Sequence, residues 1–276
     1  MTTAEWKTAL IPTDLGNLAV HIVGEGRPVV AWHSMFVDSS SWSRLTPHLP
    51  GRRFFLIDAP SCGASEALAG PVDISACARA AAQVITALAA ELGGQPIDWL
   101  GNAWGGHVGM ELAAIRPDMI RSLVAISAPT FPIGLAVRLK IRLLLPLYRA
   151  FGPRGPVRSA IMSTILTDAT RKDDLEAVAL IDECLAKSGS GATITAIRSA
   201  ILNRTDLLWA ARALRCPTLF VTTDDRGEWT PEQARAVVAQ MSCATEVTIT
   251  DARVIPALEQ PVQVVAALRQ FWARQQ

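Results

Sequence analysis

The chain has 276 residues, half of them hydrophobic, which is enough for a full core and points to one domain carrying an insertion. Its 26 basic and 25 acidic residues leave a net charge of +1, so the overall balance gives no electrostatic case for nucleic acid or for an anionic membrane. Five scattered cysteines form no CxxC pair, which argues against a disulfide framework or a thiolate metal centre and fits the reduced thiols of a cytoplasmic protein. No secretory leader is expected in MTTAEWKTALIPTDLG, and LKIRLLLPLYRAFG (139–152) is too short and too interrupted to span a bilayer.

In chain order, short runs rich in β-branched or aromatic residues read as strands: LAVHIV (18–23), PVVAWH (28–33), RFFLID (53–58), IDWLGN (97–102), RSLVAIS (121–127), PTLFVTT (217–223) and TEVTIT (245–250). Helical patterns lie between them at 74–92, 106–115, 231–241 and 261–275. This alternation predicts an α/β fold, a mostly parallel twisted sheet with helices on both faces. It breaks once. Residues 130–205 hold helical patterns and no convincing strand, which predicts a helical cap inserted after the sixth core strand, with 1–129 and 206–276 forming the core. SGSGAT (188–193) reads as a loop or hinge within that cap. A cap over the carboxyl ends of the strands would roof a ligand pocket.

Four motifs fall in order along this pattern. WHSM (32–35) follows an early strand, DAPSCGAS (58–65) forms a turn, GNAWGGH (101–107) joins a strand to a helix, and PALEQP (256–261) comes near the end. Together they resemble the α/β-hydrolase superfamily over nearly the whole chain. On that resemblance GNAWGGH is the nucleophile elbow, a tight turn that exposes its tip residue. The tip here is Ala103, which can neither attack nor accept a proton. Elbows of the Gly-x-Asp-Trp-Gly-Gly type are similar to those of haloalkane dehalogenases and epoxide hydrolases, and position 103 is the only local departure.

The resemblance implies an acid after the penultimate strand, and Asp225 matches. It implies a His five residues before Glu259, but that position is Val254, and no His follows residue 107. One trapping substitution would not remove both nucleophile and base. The superfamily's oxyanion hole, built from backbone N–H groups, maps to Trp104 and to Met35 or Phe36. His33 is a candidate proton carrier at the pocket edge, with a structural role in the turn as the alternative. His107 reads as a packing or capping residue. Phe36, Asp38, Trp104, Tyr148 and Arg253 are candidate substrate contacts, and Asp225 could act as a base if desolvated.

These residues predict a non-hydrolytic enzyme (a lyase, isomerase or cyclase) acting on a small apolar carbonyl compound. A ligand-binding pseudoenzyme and a residual ester or epoxide hydrolase acting through Asp225 and water remain as alternatives. A cofactor-independent oxygenase is disfavoured, because HSMFVD (33–38) is similar to the loop of those enzymes but their His base is missing. No cofactor or metal is implied, no nucleic-acid or membrane partner is expected, and a homodimer stays open.

Overall fold

The computed structural model describes residues 6–225 and 227–275. Eight strands form one sheet: β1 (Lys7–Thr13), β2 (Gly16–Gly24), β3 (Arg27–Trp32), β4 (Arg52–Ile57), β5 (Ile97–Asn102), β6 (Ile120–Ile126), β7 (Thr218–Thr223) and β8 (Ala244–Ile249). Their order is β1-β2-β4-β3-β5-β6-β7-β8. β2 pairs antiparallel with both β1 and β4, and every other pairing is parallel. β1 lies outside the runs read from sequence. KTALIPT sits at the sheet edge with mostly exposed side chains, so it needs no apolar alternation.

The two-residue period of the strands sorts their side chains into two cores. Val30, Trp32, Phe55 and Ile57 join the cluster that holds α1 (Ile74–Ala87) and α2 (Trp104–Ile115). Val29, Ala31, Phe54 and Leu56 join the cluster packed on the helix Pro261–Ala273, through Val264, Leu268 and Trp272. The parallel strands are therefore buried on both faces, as their near-continuous apolar runs require.

Between β6 and β7 the chain leaves strand–helix alternation. It runs through α3 (Leu135–Phe151), α4 (Gly155–Ile165), α5 (Asp168–Asp173), α6 (Leu175–Lys187), α7 (Ser190–Ile197), a wide-turn extension at Arg198–Leu202 and α8 (Leu208–Ala213). The ends of this excursion meet, because the Leu207 N–H donates to the Thr130 carbonyl at 2.7 Å. SGSGAT, expected as a loop or hinge, is a loop only at Ser188 and Gly189. Ser188 ends α6, Gly189 caps α7, and the rest is helix, held by the buried face of Thr193, Ile194, Ala196 and Ile197. Burial of that face outweighs the low helix propensity of Gly and Ser.

A candidate active site at the β5–α2 turn

The β5–α2 turn puts Ala103 at the carboxyl edge of the sheet with φ 45° and ψ −99°, a conformation that costs an alanine about 1–3 kcal/mol. Its N–H donates to the Ile126 carbonyl at 2.7 Å, which pins the turn to β6. Strand and helix approach so closely that a Cβ on Gly105 would lie 1.9 Å from the Trp32 carbonyl oxygen, and one on Gly101 would lie 2.1 Å from that of Gly105. Trp99 Nε1 also donates to the Gly105 carbonyl at 2.9 Å.

Above Ala103 lies a cavity of about 350 Å³. Its floor comes from the sheet side: Ser34, Met35, Phe36, Ala103, Trp104, His107, Ser127 and Val254. Its roof comes from the helical excursion, chiefly Ile133, Ile141, Ile165, Ala200 and Ile201, with Arg204 and Glu228 at one side. A second chamber of about 180 Å³ shares Phe36, Ile141, Thr164 and Ile201 with the first.

Two backbone donors border this floor. Trp104 is the first residue of α2, so its N–H has no intrahelical acceptor. Among the described residues neither it nor the Met35 N–H bonds to protein. Phe36 holds φ 72°, which turns the loop after β3 sharply at this point. The Trp104 ring packs edge-on against Trp32, with centroids 5.9 Å apart.

His33 does not face the cavity as a proton carrier. Its Nδ1 donates to the Ser34 carbonyl at 2.6 Å and its Nε2 accepts the Ala59 N–H at 2.8 Å. Both nitrogens are committed, and burial lowers the pKa further. His33 therefore ties the β3 loop to the β4 loop.

Asp38 is a structural anion as well. It caps the short helix Ser39–Trp42, pairs with Lys187 at 2.9 Å, and is lowered to about 2 by its hydrogen bonds with Ser40 and Lys187, which outweigh its burial. It does not line the cavity. Asp225 is also absent from the lining, and its Oδ2 accepts from Arg253 Nη2 at 2.7 Å and from Nε at 3.2 Å. Arg253 is buried in that ion pair and also donates to the Ser163 carbonyl, so its charge is not presented to a substrate. Tyr148 lines only the second chamber. Val254 does face the main cavity, and its carbonyl accepts from Asn102 Nδ2 at 2.9 Å. Cys62 is buried in the loop after β4, and desolvation pushes its thiol up, away from reactivity.

Six polar residues of the lining were not named as site residues from sequence: Ser34, His107, Ser127, Thr164, Arg204 and Glu228. His107 stands one helical turn beyond Ala103, a spacing that places both on one face of α2. Its Nε2 donates to the Pro129 carbonyl at 3.1 Å, leaving Nδ1 as a buried lone pair without a protein partner. Burial, and then the charge of Arg204, hold this imidazole neutral, well below its ordinary pKa. The Ser127 hydroxyl is likewise buried and unpartnered, on a residue with φ 50°. Arg204 is buried and bidentate to Glu228, at 2.9 and 2.6 Å.

The model of the alpha/beta hydrolase family matches residues 26–268, and the chain belongs to that family. It is similar over 99% of its length to 99% of a thermophilic esterase from Thermogutta terrifontis, at 22% identity and a TM-score of 0.84. An enol-lactonase from Burkholderia xenovorans LB400 aligns at 20% identity and TM-score 0.84, over 97% of this chain and all of that one. A bromoperoxidase from Bacillus anthracis aligns at 16% and 0.81, over 97% of this chain and all of that one. These likenesses establish the fold. No curated protein matches the chain.

Proposed function

We propose that this protein is a non-hydrolytic enzyme of the alpha/beta hydrolase family with a degenerate catalytic triad. The core of 1–129 and 206–276 and the helical cap of 130–205 would enclose a small apolar carbonyl compound. One observation carries the reading: the Trp104 and Met35 N–H groups lie without protein partners beside an apolar cavity, where a methyl group stands in the nucleophile's place. A carbonyl oxygen seated on those donors gains stabilisation as it becomes an enolate or alkoxide, and one such donor can supply about 3 kcal/mol. The Ala103 methyl leaves room for the substrate carbon and offers it no nucleophile.

The proton carrier in this reading is His107 rather than His33 or Asp225. His107 lines the cavity, and its neutral, unpartnered Nδ1 is buried, so in this reading it takes a proton from the carbon next to the carbonyl once the ring turns toward the substrate. The Ser127 hydroxyl, buried and unpartnered in the same lining, would relay that proton after the same rearrangement. Arg204, held by Glu228, places positive charge beside the developing anion. Isomerisation, β-elimination and aldol-type ring closure next to a carbonyl all proceed through this enolate. The residual-hydrolase reading loses its base, because Asp225 is engaged by Arg253 and lies off the cavity. A ligand-binding pseudoenzyme is the second reading, favoured by that same ion pair, which engages the carboxylate at the acid position while Val254 stands at the base position.

The test is to incubate a metabolite extract with the wild-type protein and with His107→Gln, then compare small-molecule masses. An ion consumed by the wild type and spared by the variant, giving products whose masses sum to that of the substrate, is the expected result; products summing to substrate plus one water would overturn the reading. Co-purification of one species without turnover would select the pseudoenzyme.

A further inference from the structure

Helix α3 is apolar on two opposite faces. Leu145 and Tyr148 point inward and are buried. Outward, Leu135, Leu139, Leu143, Leu147 and Phe151 recur every fourth residue, which sets neighbours in contact along one ridge inclined to the helix axis by roughly 26°. All five are between 45% and 75% exposed. A surface helix ordinarily carries charge on that face, and a contiguous exposed apolar row marks an interaction site.

The charges beside the row share one sign. Between Phe131 and Thr167 the sequence has six basic residues and no acidic one. Arg138, Arg142 and Arg149 run along one edge of the row and, with Arg198, line an open groove of about 620 Å³. None of these four pairs with a carboxylate among the described residues, although Arg158, on the next helix, pairs with Asp182. The net charge of +1 averages this asymmetry away, which is why the whole-chain balance gave no sign of a membrane partner.

We infer that α3 docks the protein on the surface of a membrane containing anionic phospholipid. The leucine row enters the boundary between headgroups and acyl chains, and the arginine groove receives the headgroup phosphates. Charge complementarity selects this occupant. A second copy would present the same face, with no carboxylate to answer the arginines. No helix among the described residues is long and apolar enough to cross a membrane, so α3 lies on the surface. The inference does not depend on what the cavity converts.

Vesicle flotation tests it, with phosphatidylcholine alone and with equal parts phosphatidylcholine and phosphatidylglycerol. The intact protein should float with the anionic vesicles, less so at high salt, and should not float with phosphatidylcholine alone. Leu143→Ser should weaken retention about tenfold. Arg142→Gln should weaken it about fivefold. Both side chains are exposed, so an unchanged melting temperature confirms folding. Failure to float with anionic vesicles would overturn the inference, as would retention indifferent to lipid charge. A dimer dissociated by Leu143→Ser, without flotation, would assign the row to a second copy. Binding of soluble glycerol 3-phosphate by the groove without flotation would assign the arginines to a free anion.

Discussion

Ala103 holds a strained backbone conformation at the turn from β5 into α2, φ 45° and ψ −99°. The close approach of Gly101 and Gly105 holds it there. Replacing Ala103 with Gly should therefore relieve strain and stabilise the fold by about 1 kcal/mol, read by urea unfolding. His107 gives a second prediction at this scale. Its folded pKa is lowered by burial and by Arg204, so below the unfolded value of about 6.5 the unfolded chain binds a proton that the folded chain refuses. Stability is then full above pH ~6.5 and falls as the pH drops through it, by up to about 1.4 kcal/mol per unit for each such histidine. His33, also lowered by burial, contributes with the same sign. His107→Gln should lose less stability than wild type between pH 7.5 and 5.5. Asp38, lowered to about 2, acts only below about pH 4 and leaves this window clear.

At the scale of elements, the sheet is locked below the site by one buried anion. Asp98, at the start of β5, accepts from Arg52 of β4 at 2.5 Å, from Ser122 of β6 at 2.5 Å and from Arg121. It is fully buried, and breaking a buried charge pair on one side is costly. Asp98→Asn should destabilise the protein by about 3 kcal/mol, measured by denaturant unfolding, although the residue lies at the end of β5 opposite the elbow. The sequence made most of these elements legible, because seven strands carry apolar runs and the glycines of GNAWGG announce a tight turn. β1 escaped because an edge strand needs no buried alternation. The α6–α7 junction escaped because tertiary burial overrode its glycines. The site was legible in its backbone parts, Ala103, Trp104 and Met35, which follow from the motif. Its side chains were not, because which polar groups meet a cavity depends on how distant segments pack. His33 and Asp225 lie near the cavity, yet each is engaged by a neighbour. His107 had one visible signal, its four-residue spacing from Ala103.

Over the whole molecule, the helical excursion has two apolar sides with different uses. Its inner side, through Ile141, Ile165 and Ile201, roofs the cavity, and its outer side carries the leucine row of α3. Residues tie the excursion to the core at several points. Glu259 accepts the Thr167 and Arg253 N–H groups at 2.7 Å each, and Arg44 bridges to Asp174 at 2.8 Å. In the proposed function, a pocket roofed in this way, with unpartnered N–H donors and Ala103 at the turn, carries out chemistry that adds no water to its substrate. The most direct measurement runs the conversion of whichever extract component the protein consumes in H₂¹⁸O and weighs the product. The account predicts a product free of ¹⁸O from bond cleavage, with mass equal to or below that of the substrate. Label entering a product at bond cleavage, in one product heavier by a water or in one of two lighter fragments whose masses sum to substrate plus water, would contradict it and return the protein to hydrolysis.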